Sequence, residues 1–182
     1  MSTAGGGTAL LVVDVQEGVV GSAWRRDEVV GRISGLVDSA RAAGVPVVWV
    51  QHEDEEMPVG SAEWAIVGAL EPTEGEERVG KRYGDSFADT RLGEVLGGLG
   101  VDRFVLCGAQ TDVCITSTMY GGLHRGYDVT LAEDAHTTED TRFGGAELPA
   151  ELLVAHLVRA ATFGSLPGRR WESVPAAQVS WS

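Results

Sequence analysis

Short unbroken apolar runs alternate along this chain with longer stretches in which apolar residues recur every three or four positions, from about residue 10 to about residue 174. Residues 10–13 form the first run and stop at Asp14. Val29, Val30, Ile33, Leu36, Val37 and Ala40 then mark one face of a helix, which Gly44 and Pro46 terminate. Residues 47–50 read as a second strand, followed by a polar loop, a short helix near 62–67, a third strand at 78–81 and a helix over 90–96. The fourth strand is the continuous apolar run 104–107, closed by Gly108. Past it, Thr111 suits an N-cap, Ile115, Met119 and Leu123 recur along one helical face, and Gly126 is the stop. Residues 127–131 predict a fifth strand, with His136 just beyond it. Pro149 opens a last helix that turns Leu152, Leu153, His156, Leu157 and Ala160 inward, and residues 171–174 predict a sixth strand.

Alternating strands and helices, with strands apolar on both faces, predict an α/β fold: a three-layer, doubly wound, mainly parallel sheet of about six strands with helices on both faces. The length of 182 residues fits a single domain spanning 1–182. In such folds ligands sit beyond the carboxyl ends of the strands. Asp14, Lys81 and the 108–114 turn all fall at strand ends of that sense.

Composition narrows the function. The hydrophobic share of 43% and charged share of 23% are ordinary for a water-soluble globular chain, and no apolar run reaches the ~20 residues of a membrane span. The N-terminal MSTAGGGTA has neither a basic end nor a long apolar stretch, so no signal peptide is read there and a cytoplasmic location is expected. A net charge of −13 leaves no basic patch for nucleic acid. The acidic runs HEDEE and EPTEGEE read as solvated loops. Acidic balance also draws cationic small molecules, although solubility is its plainer consequence. The two cysteines, seven positions apart, match neither a zinc pattern nor a disulfide scaffold.

Those cysteines differ in setting. Cys107 lies inside an apolar strand and reads as an inert core residue. Cys114 falls in the first turn of the following helix, where unpaired amides and the helix dipole are expected to depress a thiol pKa. The loops after successive strands carry Gln16, Trp24, Tyr83, Phe87, Gln110 and His136, each a candidate substrate contact, with local packing the alternative for the aromatics. His136 is read either as a donor to a substrate carbonyl or as a structural histidine.

The string GAQTDVCI, with Asp14 in LLVVDVQ and Lys81 in VGKRYGDSF, resembles the isochorismatase-like cysteine hydrolases over nearly the whole chain. The resemblance implies that Cys114 attacks an amide carbonyl, Asp14 moves the proton and Lys81 holds Asp14 in place. It places the oxyanion donors on the backbone N–H groups of Gln110 and Cys114, with the Ala109–Gln110 peptide cis. It implies no cofactor, and a homodimer or larger homo-oligomer. VQHEDEEMPVGS and AEDAHTTED look most like the streptothricin-hydrolase branch, which opens a cyclic amide in a cationic antibiotic. Nicotinamidases in this family carry an aromatic where this chain has Val19, and bind a metal through D-x-H and a later histidine. Here His52 is isolated and the next histidine is His124, so no nitrogen-rich metal site is expected. The expected function is a cysteine-dependent amidohydrolase cleaving a C–N bond of a small amide, lactam or carbamoyl compound through a thioester. The alternatives are a vinyl-ether hydrolase of the isochorismatase type, and a catalytically silent binding or redox-sensing relative.

Overall fold

The computed structural model describes residues 6–181, so residues 1–5 of the N-terminal segment read above lie outside them. Strand β1 (Gly7–Val13) leads through a helical turn α1 (Glu17–Val20) to helix α2 (Arg26–Ala42), then strands β2 (Val47–His52) and β3 (Glu77–Lys81). Helix α3 (Leu92–Gly98) precedes strand β4 (Val101–Ala109), which runs through a wide π turn (Thr111–Ile115) into helix α4 (Thr116–His124). Strand β5 (Asp128–Thr137), a hairpin of β6 (Thr141–Phe143) and β7 (Ala146–Leu148), helix α5 (Ala150–Phe163), strand β8 (Trp171–Val174) and a short 3-10 turn (Ala176–Gln178) complete the order.

Six strands form one sheet in the order β3-β2-β1-β4-β5-β8, every pair parallel. Residues alternate across each strand, so a strand buried on both faces must be apolar throughout. Leu10, Val12, Val47, Trp49, Val105 and Cys107 turn to one side, where α2 covers them with Val29, Val30, Ile33, Leu36, Val37 and Ala40. Leu11, Val13, Val48, Val50, Phe104 and Leu106 turn to the other, under Leu92 and Leu96 of α3, Met119 and Leu123 of α4, and Leu157 and Ala161 of α5. This is the three-layer doubly wound sandwich that the pattern predicts. Its strand order reverses between β1 and β4, and the carboxyl ends there form a crevice.

Gly108 does not end β4 but bends it. The register against β5 shifts between Leu106 and Gly108, φ at Gly108 is 123°, and a Cβ there would stand 2.0 Å from the Val13 carbonyl oxygen. Only glycine lets β4 pass this close to the end of β1, which draws Asp14 and the turn carrying Cys114 together.

Four local expectations need correction. Residues 62–67 form turns, not a helix, because Gln16 pairs with Ile66 in an isolated antiparallel bridge and its side-chain amide donates to the Trp64 carbonyl. Strand β5 extends to Thr137, so His136 lies inside it. Helix α5 meets the expected face only in part: Leu157 is buried as expected, with Ala150 and Ala161, and Leu153 and Ala160 are half-buried, but Leu152 is 64% exposed and His156 is also exposed. Small residues let this helix lie close to β5. Thr111 does not cap a helix: its hydroxyl bonds the His136 ring at 2.9 Å. The β6-β7 hairpin was unforeseen, although its Gly144-Gly145 turn, with φ of 58° and 82°, is a recognised hairpin signal. No helix among the described residues is long and apolar enough to cross a membrane.

Candidate active site

Asp14, Lys81 and Cys114 leave the ends of β1, β3 and β4 and meet in one buried place. Asp14 takes φ 52° as the chain exits β1, turning its carboxylate toward the crevice. Lys81 is the last residue of β3, whose approach is fixed by Glu76: that carboxylate accepts from Arg41 of α2 at 2.8 Å and from the Trp49 indole of β2 at 2.7 Å. The Lys81 ammonium lies 2.6 Å from Asp14 Oδ2, with side chains 0% and 1% exposed. The same ammonium donates to Cys114 Sγ at 3.2 Å and to the Tyr83 carbonyl at 3.2 Å. One cation therefore holds carboxylate and sulfur together.

The π turn sets the sulfur. Amides of Val113 and Ile115 both close on the Gln110 carbonyl, at 3.2 and 3.1 Å, whereas the Cys114 amide between them does not bond that oxygen. The Ala109–Gln110 peptide is cis. Two side-chain bonds fasten the turn to the end of β5: Thr111 to His136, and Thr138 to Asp112.

Proton affinities follow from burial. Desolvation raises the Asp14 pKa, and the adjacent Lys81 ammonium offsets this only partly. Burial works against the charge on Lys81, but the Asp14 carboxylate and then the Cys114 sulfur hold its pKa above the ordinary value. Burial and then the negative Asp14 push the Cys114 thiol up to about 11. This overturns the depressed thiol expected at a helix mouth: the sulfur is half-buried, and the nearest cation is already engaged by a carboxylate. With its pKa near 11, the Cys114 thiol is held neutral beside the Asp14–Lys81 pair at neutral pH. Cys107, fully buried, is raised further by desolvation alone.

Beside the triad opens a cleft of about 400 Å³, lined by Gly18, Val19, His52, Asp54, Glu56, Met57, Glu63 and Gln110. Of the expected substrate contacts, Gln110 lines it and the others lie elsewhere. Gln16 is fully buried as a clamp: Oε1 accepts from His52 N–H at 2.7 Å, while Nε2 donates to the carbonyls of His52 and Trp64, each at 2.9 Å. Phe87 belongs to the core, with its ring 5.5 Å from Tyr127 and 6.1 Å from Phe104. Tyr83 is exposed and offers only its carbonyl. Trp24 lies under the Arg25 guanidinium, beside a separate cavity of about 110 Å³ that it shares with His136. His136 is buried with Nε2 unpartnered, and desolvation lowers its pKa to about 4.

His52 is the residue that sequence reasoning missed. It pairs in register with Lys81 across β2 and β3, its Nδ1 is 3.5 Å from the Lys81 ammonium, and its Nε2 is 3.1 Å from Asp54 Oδ2. Two strand ends closing on adjacent residues were the available signal, but using it required the strand register. No group of three or more His, Cys, Asp or Glu is arranged around a metal position among the described residues.

Comparison with known proteins places this geometry among relatives. The isochorismatase domain model matches residues 8–148. A streptothricin hydrolase of Streptomyces noursei is 39% identical over 72% of this chain and 55% of its own length. The chain thus spans about half the length of the streptothricin hydrolases it matches. The ureidoacrylate amidohydrolase RutB of Methylobacterium radiotolerans is 30% identical over 71% of this chain and 67% of that protein. Among solved structures, an isochorismatase of Pseudomonas putida KT2440 superposes with a TM-score of 0.85 at 27% identity, covering 95% of this chain and 90% of that one.

Proposed function

This chain belongs to the isochorismatase family, and from that membership and its buried triad we propose that it is a cysteine-dependent amidohydrolase. It cleaves a C–N bond of a small amide, lactam or carbamoyl compound. The observation that carries this reading is the single ammonium of Lys81, bonded at once to the Asp14 carboxylate and the Cys114 sulfur.

The mechanism starts from a neutral thiol. As Sγ attacks the carbonyl carbon, the thiol proton passes to Asp14, whose affinity for it burial has raised. The carbonyl electron pair moves to oxygen and is met by the amides of Gln110 and Cys114. Collapse expels the amine, which takes the proton from Asp14 and leaves a thioester on Cys114. Water then attacks the thioester, gives its proton to Asp14, and the departing sulfur recovers that proton. Lys81 stays charged throughout and spares the pocket an unpaired carboxylate. The streptothricin hydrolase and amidohydrolase relatives support C–N chemistry. Carboxylates of Asp54, Glu56 and Glu63 at the cleft support a cationic substrate, and Val19 offers no aromatic face for a flat ring.

A second reading, vinyl-ether hydrolysis, is favoured by the domain match and by the isochorismatase structure from Pseudomonas putida. Cys114→Ala separates the two across a panel of amides, carbamoyl compounds, lactams and a vinyl-ether acid. Amide turnover is expected to fall by about a thousandfold or more with the fold intact. Vinyl-ether turnover that survives the substitution would move the protein to the second reading. Reversible Cys114 oxidation with no turnover on any member would leave a redox-sensing role.

A further inference from the structure

We propose that His52 is the reserve acceptor for the Lys81 ammonium, engaged when Cys114 is acylated, so that it supports hydrolysis of the acyl-enzyme and not its formation. This rests on the thiol mechanism above. An ammonium has three protons. At rest they are matched to Asp14 at 2.6 Å, Tyr83 at 3.2 Å and Cys114 at 3.2 Å, while His52 stands off at 3.5 Å. Acylation changes that arrangement: a thioester sulfur shares its lone pairs with the carbonyl and is a poor acceptor. That proton of a fully buried ammonium would then need another acceptor, because leaving it unmatched is costly where no water reaches.

His52 is built to meet that proton. Its Nε2 faces Asp54 Oδ2, a carboxylate that can only accept, so the ring proton is on Nε2 and the Nδ1 lone pair faces Lys81. Asp54 is itself fixed, its Oδ1 accepting from the amides of Met57 at 2.7 Å and Glu56 at 2.9 Å. The His52 backbone is gripped on both sides by the Gln16 amide, and its ring is held by Asp54. A shift of a few tenths of an ångström by the flexible lysine end closes the gap. Lys81 then stays beside Asp14 while that carboxylate takes the proton of the attacking water. His52 is in this sense a positioning residue, acting through Lys81.

The test is acylation by 4-nitrophenyl acetate, with the nitrophenolate burst and the steady state followed in one stopped-flow trace and the acetyl adduct on Cys114 followed by intact mass. His52→Leu should keep the burst rate within about twofold, slow the steady state at least about fivefold, and accumulate the adduct. His52→Asn returns an acceptor near the Nδ1 position and should recover most of the steady-state rate. Equal slowing of both phases in His52→Leu, wild-type clearance of the adduct, or an Asn variant that folds but behaves like Leu would each overturn the inference alone. If the wild type forms no Cys114 adduct and Cys114→Ala keeps the ester turnover, the thiol mechanism falls, and the inference with it.

Discussion

The buried floor of the site and the rim of the cleft beside it are made of similar charges in opposite surroundings. On the floor, Asp14 and Lys81 form an ion pair that water does not reach. On the rim, Glu53 meets the largely exposed Arg82 at 3.4 Å, and Asp54, Glu56 and Glu63 stand in solvent. A charge on the floor is neither screened nor replaceable, so it governs stability and chemistry together. Charges on the rim are screened beyond about 8 Å at physiological salt, so they govern encounter. The fold places both at the same strand ends, and depth alone separates their roles.

Removing one partner from each pair gives the sharpest contrast. Lys81→Met leaves the Asp14 carboxyl buried alone, and breaking such a pair typically costs about 3–5 kcal/mol, with turnover lost as well. Arg82→Met on the rim should change neither measurably. The pH dependence has a definite sign. The folded-state pKa of Asp14 is already above its unfolded value, and losing Lys81 raises it further. The folded variant then keeps a proton that the unfolded chain releases above about pH 4, so its stability falls as pH rises through the folded value. Urea midpoints should show the gap between variant and wild type widening from pH 4 to pH 7. A gap independent of pH would mean that Asp14 is not the group left unpaired.

The floor was far more legible in the sequence than the rim. Asp14 and Lys81 each close a strand, and the alternation of strands and helices already assigns those ends to one side of the sheet. Cys114 is marked by the turn that carries it. What periodicity cannot show is depth or register. It put Cys114 at a helix mouth, but not under enough protein to raise its thiol. It could not see that Ile115, the first member of the Ile115, Met119 and Leu123 stripe, closes a five-residue π turn ahead of the helix. Rim residues depend on bonds between distant loops: Gln16 looked like a substrate contact because it follows β1, yet its amide is consumed by His52 and Trp64. Phe87 similarly looked available until Tyr127 and Phe104 enclosed it.

Near the end of β5 stands His136, which fastens the Cys114 turn through Thr111. Burial depresses its pKa from 6.5 to about 4, so the folded protein holds it neutral where the unfolded chain would protonate it. Its contribution is present above about pH 6.5 and is lost as pH falls toward 4, amounting to about 3 kcal/mol across that window. His136→Asn lacks the titration and should lose less stability than the wild type on acidification from pH 7 to 4.5. Parallel stability curves would assign the acid sensitivity to carboxylates whose pKa folding lowers, Glu76 beside Arg41 and Trp49 first among them.

The smallest expected effect belongs to the rim, and it tests whether the acidic edge selects substrates or merely keeps the surface solvated. Glu56→Gln with Glu63→Gln removes two carboxylates that line the cleft and leaves Asp54 to hold His52. Neither glutamate is bonded to the triad, so kcat should not move. A cationic amide should show a KM raised about three- to tenfold at low ionic strength, because the field that concentrates it is weaker. The difference should shrink in about 0.5 M salt, where the Debye length falls to a few ångströms, and a neutral substrate of the same shape should show none at either salt. If the KM change persisted in high salt, the glutamates would be making direct contacts, and the rim would be an extension of the floor. If the neutral substrate were affected as much as the cationic one, shape and not charge would define the edge, and the preference for a cationic substrate would lose its support.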